Sequence, residues 1–320
     1  MDIRWHLKHA VVRAAVKLLK STGWYDGYYT GWRQFFDYAE KQGLHILPVH
    51  HYTPLPDTQN FPPDQWTRER QLRAVDLQFD ASLQWFKSLM PPYRAECEAL
   101  RKEGNPPQGV YTLDNEAFGR GDADVLYSII RDKKPGKIIE IGSGYSTLLM
   151  CQALRANAQE SPSYRCEFVA IEPYPPAYLS PAPAELTRVE AKFVQKIDLA
   201  EFASLKAGDI LFIDSSHTVK IGSDTVYELL SVLPVLAPGV LIHVHDIFSP
   251  HEYPETWMRD SRFFWNEQYM LEAFLSYNKD FEVILPLHAI SRKHPELMTE
   301  LIPSYDPKRH GTGSFWMRRC

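Results

Sequence analysis

Two short stretches bring imidazoles and carboxylates together: Asp214 and His217 in FIDSSH, and His243, His245 and Asp246 in LIHVHDI. Imidazole changes charge near neutral pH and binds transition metals. A carboxylate can bind a cation or fix the tautomer of a neighbouring ring. Two kinds of chemistry follow. Asp214, His245 and Asp246 could hold a divalent ion that takes an acceptor oxygen. Alternatively, His245 or His217 could act as a metal-free general base steadied by Asp246. A histidine in the trio suits zinc, iron, nickel or manganese better than magnesium. Histidines satisfied inside a core are the plain alternative, above all for His243. Alternation along a strand sends His243 and His245 to one face and Asp246 to the other, a rule that a strand end can relax.

A second constellation lies upstream, in KIIEIGSGYSTLLM, residues 137–150. An apolar run ends in Gly142-Ser143-Gly144, and a helical pattern follows. Glycines at such a turn let the backbone approach a ligand, and the helix start offers free amides. A dinucleotide fingerprint would require a third glycine where Thr147 stands, so that match is incomplete. Acids recur at successive strand ends. Glu140 precedes the glycines, and Glu172 in AIEPYP is placed to take both hydroxyls of a ribose. Asp198 stands where a side chain could meet an adenine amino group, and Asp214 closes the series.

The elements that must position these residues are legible from periodicity. Helices are expected over 122–134, 146–158, 223–236 and 265–278. Strands are expected over 137–142, 167–173, 189–197, 209–215, 239–247, 281–286 and 313–319. Strands alternating with helices imply an α/β, doubly wound, Rossmann-like and mainly parallel seven-stranded sheet. In such a sheet ligands sit beyond the carboxyl ends of the strands, where strand order reverses. Upstream, residues 67–103 read as helical with an interruption at Pro91-Pro92, and GNPPQG (104–109) marks a boundary. The expected organisation is an N-terminal helical cap with a Pro-rich loop over 1–108 and a ligand-binding domain over 109–320. The cap would close over an acceptor or form a homodimer contact. Tyr111, Asp114 and Asn115, with Tyr253 and Trp257 on the far side, are candidates for substrate contact.

The series of a GxG turn followed by acids on consecutive strand ends resembles the class I S-adenosylmethionine-dependent methyltransferases over roughly residues 110–320. Asp214-Ser215-Ser216-His217 and His245-Asp246 are similar to stretches of the bacterial macrolide-sugar-like O-methyltransferases, although a glycine of their pattern is missing here. The resemblance implies a seventh strand antiparallel to the rest and S-adenosylmethionine as cofactor. It assigns Glu140, Gly142, Ser143 and Gly144 to the methionine-side loop, Glu172 to the ribose and Asp198 to the adenine. Asp214 falls near the sulfonium or amino group. It implies methylation of a small polar acceptor, most simply at oxygen, with a possible role for a divalent metal. Related enzymes place oxygen-rich magnesium trios at matching positions.

Composition narrows the alternatives. A net charge of -5 and a pI near 6.2 give no global basic field for nucleic acid. Four cysteines without CxxC spacing read as reduced thiols, as in a cytoplasmic protein. No apolar run is long enough for a membrane span. Residues 4–20 set five basic side chains among apolar ones, as in a helix that could lie on an anionic membrane or pack on its own domain. Two other functions remain open on sequence grounds. One is a nicotinamide-dependent oxidoreductase, against which Thr147 argues. The other is a non-catalytic S-adenosylmethionine-binding partner protein, against which His217, His245 and Asp246 argue.

Overall fold

The structure is a computed structural model that describes residues 3–21, 31–100, 110–113, 115, 117–302 and 305–320, with backbone only for 3–9 and 31–34. The boundary motif 104–109 and Asp114 lie outside the described residues. The chain divides into two compact units, Met1–Pro62 and Pro63–Cys320. The first contains helices α1 (Ile3–Ser21) and α2 (Gly31–Lys41) followed by irregular chain.

The second unit is built on a seven-stranded sheet. Its strands are β1 (Lys137–Ile141), β2 (Glu167–Ile171), β3 (Arg188–Glu190), β4 (Ile210–Ile213), β5 (Leu241–Val244), β6 (Phe281–Pro286) and β7 (Phe315–Arg319). The strand order is β3-β2-β1-β4-β5-β7-β6. The first five run parallel, while β7 is antiparallel to both β5 and β6. This is the expected doubly wound sheet, with its reversal of order between β1 and β4. The helices are α3 (Phe79–Ala99), α4 (Asp122–Lys133), α5 (Tyr145–Glu160), α6 (Leu199–Ala203), α7 (Asp224–Tyr227), α8 (Glu267–Leu275), α9 (Leu287–Lys293) and α10 (Pro295–Leu301). Among the described residues no helix is long and apolar enough to cross a membrane.

Strand alternation explains why the sheet is covered on both faces. Ile138, Phe168, Ile210, Phe212 and Trp316 join one apolar core with residues of α3, α4 and α5. Ile139, Ile141, Val169, Leu211 and Ile213 join a second core with Phe202 of α6 and Leu271 of α8. With apolar residues facing both ways, the parallel strands are nearly continuous hydrophobic runs.

Several boundaries depart from the sequence expectation for physical reasons. The expected strand at 189–197 shortens to β3, a sheet edge, and Val194–Lys196 instead forms a 3₁₀ turn that buries Val194. The helix expected over 223–236 is α7, then a π turn (Glu228–Val232), then a 3₁₀ turn (Leu233–Val235) containing Pro234, which has no amide hydrogen to donate. α3 runs through Pro91 and Pro92 without stopping. Its Phe86, Leu89 and Met90 belong to the same core as α4 and α5, so residues 63–100 belong with the sheet and not with the first 62. β6 and β7 pair as expected, but α9 and α10 intervene in place of a tight hairpin.

The turn after β1 is where the sheet is most crowded. Gly142 has φ +84°, and a side-chain carbon on it would lie 1.9 Å from the carbonyl oxygen of Asp214. The Gly142 amide donates to Ile171 O and the Asp214 amide to Ile141 O, each at 2.9 Å, so neither strand end can retreat. Gly208 has a similar φ of +88° but nothing within 4 Å of its missing side chain. In urea unfolding, Gly208→Ala should therefore cost about 1 kcal/mol, the penalty of a left-handed backbone alone. Gly142→Ala should cost about 3 kcal/mol or more, because the collision adds to that strain. Equal losses would show that the close approach does not constrain the fold.

Candidate active site

The glycine turn is held from beneath by Glu140. This side chain is fully buried, and its two oxygens accept the hydroxyls of Ser146 and Thr147, each at 2.6 Å. Thr147 Oγ1 in turn accepts the Gly144 amide at 2.9 Å. Thr147 thus does capping work at the first turn of α5, where a third glycine would leave the amide bare. Burial raises the Glu140 carboxyl to about 8; its hydroxyl partners oppose the shift, while Asp214 and Glu172 add to it. Glu140 is therefore a buttress of the turn, with no polar atom left for a ligand.

Glu172 sits at the end of β2, opposite the turn. Its Oε2 accepts the Ser143 amide at 3.3 Å and its Oε1 the Tyr174 amide at 2.7 Å. These bonds fix the carboxylate, and each oxygen keeps a lone pair for a further donor. Gly144 has only the Tyr178 hydroxyl within reach of its missing side chain, at 3.5 Å, and Tyr178 stacks on Tyr145. Asp198 lies away from this turn, as the N-cap of α6, accepting the Ala200 amide at 2.9 Å.

Across the crevice Asp214, His217 and Asp246 come together, each offering one ligand atom within 4.8 Å of the others. His217 Nε2 lies 3.3 Å from Asp214 Oδ1 and 3.6 Å from Asp246 Oδ2. The histidine in this trio is His217, where the sequence pointed to His245. Two residues in the left-handed region explain the geometry: φ is +56° at His217 and +57° at Asp246. The second turns Asp246 off the strand path, so that it meets the cleft although His245 precedes it directly. Gly313 makes room, since a side-chain carbon there would lie 3.0 Å from Asp246 Cα. The Gly313 and Ser314 amides both donate to buried Asp122 of α4, which locks the approach to β7 against this corner.

His217 is fixed from behind by a residue the sequence offered only as a solvated or substrate-facing helix position. Glu267, 1% exposed, has its Oε2 2.9 Å from His217 Nδ1. The backbone repeats the tie, because the Asn266 and Glu267 amides donate to His217 O. Glu228, fully buried on the π turn, accepts the Ser215 hydroxyl at 3.0 Å and borders the same corner. Trp265 closes the far side with its ring 4.4 Å from that of His217, and Phe263 and Trp257 pack on Trp265. Only the polar triplet Asn266-Glu267-Gln268 ahead of an apolar helix signalled this backing in the sequence.

The charges follow from these neighbours. Burial disfavours the His217 imidazolium, but hydrogen bonding to Asp214 and Glu267 wins, and its pKa is raised well above the ordinary histidine value. Burial raises Asp214 less than the nearby imidazoles lower it, and it falls to about 2. Burial lifts Asp246 to about 6, with His245 and His217 opposing. His245 lies 3.6 Å from Asp246 Oδ1 and packs on Phe118. Burial alone would lower its pKa, but Asp246, Asp214 and Asp122 raise it. His243 is a core residue: it stacks on Phe212, meets Ser314 Oγ at 3.0 Å, and burial drives it neutral.

Three expected substrate contacts are occupied internally. Tyr111 is 2% exposed and donates to Phe118 O. Asn115 ties Thr112, Ala117 and Phe118 of its own loop. Tyr253, 1% exposed, accepts the Gln268 amide. Trp257 alone of the four borders the cleft, through Trp265.

A raised histidine pKa contributes stability below the unfolded value near 6.5 that is lost as pH rises through the folded value. Glu267→Gln removes one of the two carboxylates responsible. The His217 imidazole signal in NMR should then titrate at lower pH than in the parent, and the loss of stability above pH 6.5 should become shallower. An unchanged His217 titration would mean that Glu267 does not set its charge.

With this geometry in view, comparison with known proteins is informative. Residues 139–247 match the family described as "Methyltransferase domain". An uncharacterised protein of Archaeoglobus fulgidus is 32% identical over 99 residues, covering 30% of this chain and 43% of that protein, so the chain matches less than half the length of this curated relative. A solved O-methyltransferase from Bacillus cereus in complex with SAH is 18% identical, with a TM-score of 0.36, over 76% of this chain and 90% of that one. The matched domain and the sheet order β3-β2-β1-β4-β5-β7-β6 together place this chain among the class I S-adenosylmethionine-dependent methyltransferases.

Proposed function

We propose that the chain transfers a methyl group from S-adenosylmethionine to an oxygen of a small polar acceptor held at Asp214, His217 and Asp246. One observation carries this reading: the glycine turn facing Glu172 and the His–Asp trio meet at the same crevice, joined by the Gly142–Asp214 contact. S-adenosylmethionine supplies a methyl on a positive sulfur. Glu172, already oriented by two amides, accepts the ribose hydroxyls. The Gly142–Gly144 backbone lies along the methionine side, and the ionised Asp214 favours the positive end of the cofactor.

The donor set fits a divalent cation. Two carboxylates and one imidazole lie within 4.8 Å of one another, and Glu267 fixes the other ring nitrogen of the histidine. An imidazole with two carboxylates suits manganese, iron or zinc better than magnesium. Such an ion would stabilise the oxygen that loses its proton. Trp265, Trp257 and Phe263 give the acceptor an apolar wall beside this point. His245, next to Asp246, steadies that carboxylate and is the nearest further base. A metal-free reading rests on the Glu267–His217 pair, which resembles a base with its orienting carboxylate.

The test is methyl transfer from radiolabelled S-adenosylmethionine to a panel of diols, phenols and sugars. His217→Ala and Asp246→Asn should each lower kcat/KM by about 100-fold or more. Chelator should abolish turnover, with manganese restoring it; activity that survives chelation but falls with His217→Ala would favour the metal-free reading. Protons compete with a cation at His217 and Asp246, both raised, so manganese affinity should climb between pH 6 and pH 8. No transfer to any oxygen acceptor, with the cofactor bound, would refute the assignment.

A further inference from the structure

Helix α1 carries a surface that the methyltransfer reading does not use. Its sequence, IRWHLKHAVVRAAVKLLKS, contains five lysines and arginines and no acid, although the whole chain carries a net charge of -5. Charge is therefore segregated onto this helix. Val11, Val12, Val16 and Leu18 are 58% to 68% exposed, values at which an apolar side chain gains almost nothing from folding.

The spacing sorts these residues around the helix. Val11 and Leu18 are seven apart and share one side. Arg13, Lys17 and Lys20 follow an i, i+4, i+7 stripe, and Arg13 stands about 200° around the axis from Val11. An apolar arc faced by a purely basic stripe is the pattern of a helix lying in the plane of a membrane interface. The apolar side enters the acyl boundary while lysine and arginine meet anionic headgroups. Pairing of two such helices from two copies would bring like charges together, so charge complementarity favours lipid.

We infer that α1 is a peripheral membrane-binding helix that holds the chain against anionic bilayers. The proposal is independent of the reaction assigned above. The experiment is flotation of the full chain with vesicles of phosphatidylcholine alone and of phosphatidylcholine with 30% (about one lipid in three) phosphatidylglycerol. Binding should be confined to the anionic vesicles and weaken at high salt. Neutralising one basic residue should weaken binding about fivefold, and Arg13→Gln/Lys17→Gln/Lys20→Gln on the order of a hundredfold. Val11→Asp/Leu18→Asp should remove binding while leaving the basic stripe in place. Both variants alter exposed positions, and an unchanged melting temperature will show that the fold is intact. Absence of vesicle binding, or equal binding to both compositions, overturns the proposal. So does concentration-dependent self-association, lost in the same variants, without vesicle binding.

Discussion

Everything in the candidate site depends on how closely β1 and β4 end beside one another. With the Asp214 carbonyl 1.9 Å from where a side chain on residue 142 would begin, only glycine can stand there. That contact fixes two things at once. It sets the path of the turn that carries Ser143 and Gly144 towards Glu172, and it fixes the point from which Asp214 leaves the sheet. Cofactor side and acceptor side are consequently positioned by one backbone contact, and a shift in either strand would be felt by both.

Around that contact the protein uses buried polar groups as braces. Glu140 supports the glycine turn, Asp122 holds the Gly313–Ser314 backbone against Asp246, and Glu267 fixes His217. Each is nearly or fully buried, and each would be costly to leave unpaired. The reacting groups themselves keep some exposure: the Asp214 side chain is 27% open and that of Asp246 15%. The division is physical. Groups that must hold position are desolvated and bonded, while groups that must meet a ligand face the cleft.

Much of this was legible in the sequence because it rests on local pattern. Apolar runs ending in Gly142, Glu172, Asp214 and His245-Asp246 mark strand ends, and strand ends of a parallel sheet share one rim. What could not be read was rotation about single residues and pairing across long separations. Choosing His217 over His245 depends on left-handed backbone at His217 and Asp246, a conformation that neither residue type announces. Glu267 meets His217 across fifty positions, so its helical spacing suggested only a solvated face. Tyr111, Asn115 and Tyr253 looked available because polar side chains near a site are ambiguous until their partners are known. Thr147 is the converse: as a missing glycine it weakened one motif, and in the fold it completes the turn.

The most direct test of the central claim is a calorimetric titration of the purified protein with S-adenosylmethionine, set beside NAD and beside a Glu172→Ala variant. The account predicts micromolar binding of S-adenosylmethionine, no heat with NAD, and at least about tenfold weaker binding once the two charge-assisted ribose bonds are gone. Failure to bind S-adenosylmethionine, or binding indifferent to Glu172, would contradict it.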